Sequence, residues 1–108
     1  MELTKKRCVP CEGGASPLDG AQVQPLLSQV PGWRLDPEGR SLHKRFALAS
    51  FPAAIAFIGR MADLAEAEGH HPDFCVHYQV LDVTLTTHAI GGLSMNDFIL
   101  AAKIDGLV

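Results

Sequence analysis

Between Ser50 and Gly69, seven apolar residues (Phe51, Ala54, Ile55, Ile58, Met61, Ala62 and Ala65) recur three or four positions apart. That spacing puts all seven on one broad stripe of an α-helix. Ser50 is a ready N-cap, Pro52 is tolerated in a first turn where its missing N–H is not needed, and Gly69 can end the helix in the left-handed conformation. A stripe this wide needs an apolar surface to cover, and the sequence downstream supplies one. Leu81, Val83 and Leu85 alternate with Val80, Asp82, Thr84 and Thr86, the period of a strand with one apolar face. The long helix is therefore expected to lie on a sheet.

The remaining segments fill in around this pair. Val23, Leu26, Leu27 and Val30 have helical spacing with Asp19 as a cap, and Pro25 makes that helix short or kinked. Pro31-Gly32 ends it. Residues 33–35 and 40–49 flank Asp36-Pro37-Glu38-Gly39, a turn sequence, and read as a hairpin. In its second strand Leu42, Phe46 and Leu48 share a face that only Lys44 interrupts, which puts His43 on the opposite, exposed side. Residues 74–87 form one strand or two. Gly91-Gly92 turns the chain, and Ser94 with Asp97 resembles a capping box before Phe98, Ile99, Ala102 and Ile104. The expected fold class is α+β, a small antiparallel sheet of about four strands with helices packed on one face.

A chain of 108 residues makes one such domain. Residues 18–108 carry the pattern, whereas residues 1–17, rich in Gly, Pro and Cys, read as an extended N-terminal arm with a Cys8-x-x-Cys11 pair. No run approaches the roughly 18 apolar residues of a membrane span, so no membrane partner is expected. A net charge of −3 argues against a nucleic-acid partner, and Lys5-Lys6-Arg7 reads as a solvated end. That basic stretch is not followed by the apolar core of a secretory signal, and an odd count of three cysteines fits a reducing compartment. The expected location is the cytoplasm.

Chemistry is concentrated in the C-terminal half, where four of the five histidines fall between positions 70 and 88. Imidazole is the side chain that most readily exchanges a proton near neutral pH. His70 and His71 are adjacent, so in extended backbone they would point apart unless Gly69 and Pro72 bend the segment. A His-rich loop and a site are equally compatible with spacing alone. Glu66 and His70, at helical i, i+4 spacing, would with His88 make a donor set that zinc accepts, but the His-Glu-x-x-His pattern is missing and Cys8 with Cys11 is only half of a four-thiolate site. No metal is expected. Asp97 by itself is a helix cap, and Tyr78 a strand aromatic.

Together, Pro31-Gly32-Trp33, Glu66, His70-His71-Pro72, Tyr78, Thr87-His88, Gly92-Leu93-Ser94 and Asp97 resemble the pterin-4a-carbinolamine dehydratase family from about Leu18 to the end. The seventeen-residue step from His71 to His88, with Tyr78 between them and Asp97 nine residues beyond, is the specific part. Two departures stand out: Phe74 where many members have Trp, and Pro25 inside the first helix.

The resemblance implies an enzyme, a hydro-lyase that removes water from a 4a-hydroxytetrahydropterin to leave quinonoid dihydropterin after aromatic amino-acid hydroxylation. One group must protonate the departing hydroxyl while another takes the N5 proton, and histidines suit both tasks. His70, His71 and His88 become the acid and base candidates, with His71 and His88 as the indispensable pair. Glu66 and Asp97 orient them, and Pro72, Phe74, Tyr78 and Thr87 are substrate-binding candidates, the aromatics by stacking on the ring. His77 has no role. The pterin is the substrate, and no cofactor is expected. The resemblance also implies a homo-oligomer, dimer or tetramer, and a functional link to a hydroxylase. Its alternative is a non-catalytic role, since some members of this fold assist assembly or transcription.

Overall fold

The computed structural model describes residues 2–9 and 16–108. Its elements follow in chain order: α1 (Gly20–Leu27), β1 (Arg34–Leu35), β2 (Leu42–Ala47), α2 (Phe51–Glu68), β3 (Asp73–His77), β4 (Val80–Leu85) and α3 (Met95–Asp105), with 3-10 turns at Leu3–Lys5 and His88–Ile90. The four strands form one sheet in the order β1-β2-β4-β3, every pair antiparallel. This is the expected α+β class. No helix among the described residues is long and apolar enough to cross a membrane.

Register assigns each side chain to a face. Leu42, Lys44 and Phe46 on β2 stand opposite Leu85, Val83 and Leu81 on β4, and Phe74 and Val76 on β3 extend the same face. Leu42, Phe46, Leu81, Val83 and Leu85 are buried there under the helices. His43, Arg45, Asp82, Thr84, Asp73, Cys75 and His77 occupy the open face. Lys44 keeps its place on the core face by reaching the edge, where its Nζ lies 2.7 Å from Asp105 Oδ1, an atom that also accepts the Trp33 indole N–H at 3.1 Å. A cation on a buried face is tolerated because its stem packs and its head is paired.

Local chemistry accounts for the helix ends. Asp19 and Gln22 cap α1 reciprocally, and the helix runs only eight residues, with Pro25 inside it. Ser50 Oγ accepts the Ala53 N–H at the start of α2, and Gly69, at φ +67°, ends that helix.

The buried face of α2 differs from the expected stripe. Ala54, Phe57, Met61 and Ala65 are buried, whereas Phe51 and Ile55 are nearly half exposed. The helix is apolar over more than one side, so periodicity does not single out the face. The Phe57 ring decides it, 5.0 Å from the Phe46 ring, which in turn meets Trp33 edge-on. Tyr78 is likewise not a strand residue. It occupies the two-residue turn between β3 and β4 at φ +56°, a conformation uncommon for a residue with a Cβ.

The arm is also more than an extended segment. Leu3 is buried in the core, and its 3-10 turn packs against α3. On α3, Leu100 and Ala101, outside the expected stripe, are buried as well. Cys11 lies outside the described residues. Phe57→Ala is expected to cost about 3–5 kcal/mol in urea unfolding, the price of a large core cavity, and Phe51→Ala less than about 1 kcal/mol.

Candidate functional site

Gly69 reverses the chain at the end of α2, and the two histidines after it separate. His70 turns inward, its side chain 11% exposed, and its Nε2 lies 2.6 Å from Oδ1 of Asp97. Asp97 is fully buried in the first turn of α3. Its second oxygen accepts the Ser94 N–H at 2.9 Å and the Thr87 hydroxyl at 2.8 Å. Because a hydroxyl has one proton, Ser94 Oγ must donate to Thr87 Oγ1 across their 2.8 Å contact. A carboxylate only accepts, so against Asp97 Oδ1 the His70 Nε2 is the donor, and Nδ1 is the ring nitrogen that Asp97 does not engage.

His71 turns outward onto the carboxylate of Glu66, one turn back on α2. His88 opens the 3-10 turn after β4, and paired backbone bonds between Thr87 and Gly92 close the loop that carries it. Gly92 has a packing reason to lack a side chain, since a Cβ there would meet Pro17 at 2.8 Å. The His88 Nε2 stands 3.5 Å from Asp73 Oδ2 in an exposed pair.

The three imidazoles line one cleft of about 290 Å³ with Val9, Gly69, Thr86, Thr87, Ala89 and Asn96. This is near the lower end of the range for small-molecule sites. A larger hollow of about 490 Å³ on the open sheet face, lined by Arg34, His43, Arg45 and Asp82 among others, brings no proton-exchanging pair together. There His43 bonds Ser41 and Thr84, and Arg45 pairs with Asp82. The histidine cleft is therefore the candidate site.

The expected residues do not all meet there. His70, His71, His88 and Thr87 line the cleft, Asp97 lies beneath it and Glu66 beside His71. Thr87 spends its hydroxyl on Asp97. Pro72, partly exposed, links His71 to β3 without lining the cleft, and Phe74 is nearly half exposed on the helix side of that edge strand. Tyr78 is exposed at the far tip of the β3–β4 hairpin, about 17 Å of strand from Asp73. Glu66 and His70 do not converge, for each has turned to a different partner, and no three His, Cys, Asp or Glu side chains among the described residues are arranged to share an ion.

Asp73, Asn96 and Val9 had no signal as single residues. The first comes to His88 through strand geometry, and the other two meet across the length of the chain. Near them the Cys8 thiol is pushed up to about 12, by burial first and then by the negative charge of Glu68, so it stays protonated at neutral pH. The Lys103 ammonium, followed by the Cys8 N–H, holds the Glu68 carboxyl below its ordinary range.

Residues 16–107 match the family model for pterin 4 alpha carbinolamine dehydratase. A protein of Halorhodospira halophila is 49% identical over 99% of this chain and 98% of its own, and one of Rubrobacter xylanophilus is 42% identical over 98% of each. Both bear the name "Putative pterin-4-alpha-carbinolamine dehydratase". Among solved structures, a transcriptional coactivator/pterin dehydratase from Brucella melitensis superposes with a TM-score of 0.81 at 27% identity, covering 85% of this chain and 98% of that one. A pterin dehydratase-like protein identified as a RuBisCO assembly factor in the α-carboxysome gives 0.61 at 28% identity, over 70% and 88%.

Two measurements probe these contacts. Asp97→Asn should fold but lose about 1–3 kcal/mol in chemical denaturation, since its amide must turn an N–H toward one of three donors. A depressed folded-state pKa at Glu68 means that the unfolded chain binds more protons on the acid side. Its stabilisation is present above about pH 4.5 and is lost as pH falls through the lower folded value. The Tm gap between wild type and Glu68→Gln should accordingly shrink on acidification.

Proposed function

Because the chain belongs to the pterin 4 alpha carbinolamine dehydratase family, we propose that it dehydrates a 4a-hydroxytetrahydropterin to the quinonoid dihydropterin by histidine acid–base catalysis. The observation that carries this reading is the convergence of three imidazoles on one cleft, two exposed and the third anchored on a buried carboxylate. Loss of water from C4a needs a proton delivered to the departing hydroxyl and a proton taken from N5, whose lone pair then forms the C4a=N5 bond. The reaction is redox-neutral and releases one water.

His71 and His88 are the exchanging pair, for both are open to a ligand entering the cleft and each has a carboxylate alongside, Glu66 and Asp73. Imidazole is the side chain best suited to serve as general acid or base, and both rings stand within reach of a bound ligand. His70 presents Nδ1 while Asp97 fixes its ring, a positioning task suited to a third contact on the substrate. The reaction requires no added cofactor. The enzyme works in the cytoplasm beside an aromatic amino-acid hydroxylase and self-associates as a dimer or tetramer, for which Phe51, Ile55, Phe74 and Tyr78 provide exposed apolar surface.

A coactivator or assembly role, named for the two structural relatives, would make no use of the cleft. The intact histidine set favours the enzyme. A stopped assay that generates the 4a-hydroxytetrahydropterin in place and follows quinonoid dihydropterin tests substrate and reaction together. His71→Ala and His88→Ala should each lower kcat by about 10²-fold or more with the fold unchanged. Wild-type turnover in both variants would overturn the proposal.

A further inference from the structure

The N-terminal arm reaches the candidate cleft through contacts that core packing alone does not require. Cys8 donates its backbone N–H to Glu68 Oε1 at 2.8 Å, and the other Glu68 oxygen takes the Lys103 ammonium at the same distance. The Asn96 side chain brackets Val9, its Oδ1 accepting the Val9 N–H at 2.9 Å and its Nδ2 donating to the Val9 carbonyl at 2.6 Å. Asn96 is only 4% exposed. A buried amide thus bonds both backbone groups of a residue that is itself 65% exposed and lines the histidine cleft.

Val9 is held through its backbone, next to Cys8 packed against the core, while much of its own surface stays exposed. The same two helix ends hold both walls. On α2, Glu66 meets His71 and Glu68 meets the arm; on α3, Asp97 meets His70 and Asn96 meets the arm. Arm and imidazoles are therefore held from the same two helix ends, and on α3 by the neighbouring residues Asn96 and Asp97.

We infer that the arm at Cys8–Val9 is a wall of the substrate site, with Val9 presenting an apolar surface to the flat pterin ring and Asn96 acting as its positioning residue. This rests on the dehydratase reading above. Flat heterocycles are held mainly by apolar walls with a few fixed polar groups, and the cleft's other lining is largely imidazole and threonine. With Ala89, Val9 supplies the apolar part of that lining, and it is the larger of the two side chains.

The test uses the full chain in the same assay, with Val9→Gly, Asn96→Ala and wild type compared for KM, kcat and Tm, and with trypsin cleavage after Arg7 followed by mass spectrometry. Val9→Gly should raise KM about three- to tenfold with kcat within about twofold and Tm unchanged, the pattern of a lost ground-state contact. Asn96→Ala should raise KM at least as much and speed cleavage at Arg7. Wild-type KM in both variants, with the wild type active and the arm released in Asn96→Ala, would overturn the wall alone. A loss confined to Asn96→Ala, with kcat and Tm falling together, would reduce Asn96 to a folding role and overturn it too. A folded wild type that gives no quinonoid dihydropterin would instead overturn the dehydratase reading, and the pterin wall with it.

Discussion

The carboxylate of Asp97 is the point on which the site depends. An ionised group with no exposed surface is tolerated only if its oxygens are fully engaged, because desolvating a charge costs several kcal/mol. Its three donors come from three parts of the chain: the Ser94 N–H at the start of α3, the Thr87 hydroxyl just past β4 and the His70 ring just past α2. Satisfying one buried anion therefore brings the ends of three elements together. The cleft is the space these ends enclose.

α3 is anchored at both ends by acidic residues with different tasks. Asp97 gathers the site at its first turn, and Asp105 at its last holds Lys44 of β2 and the Trp33 indole. Between them most of the helix is buried, with α2 and the Leu3 turn packed against it. A helix with so little freedom to shift is a firm support for the His70 ring that Asp97 anchors.

The fold by itself does not select the chemistry. Structural relatives that superpose on this chain include one titled a coactivator/dehydratase and one titled an assembly factor, and an antiparallel sheet under helices serves all of them. Function resides in the site placed on the fold. Here that site consists of imidazoles paired one by one with carboxylates, beside an arm held by the same helix ends.

Much was determined by local sequence. The Ser50 and Asp19 caps, the left-handed stop at Gly69, the Asp36–Gly39 hairpin and the alternation along β4 each follow from forces acting within a few residues, and so are legible in order along the chain. The histidine set was legible as a family pattern. What only the tertiary structure decided involves partners far apart in sequence. Packing against Phe46 chose Phe57 over Phe51 for the core, strand register sent Tyr78 to the far tip of its hairpin and brought Asp73 to His88, and Val9 met Asn96 across 87 positions. An apolar residue carries the same hydropathy whichever neighbour it finds, and a carboxylate the same charge. Which contact it makes is fixed only when the whole core closes.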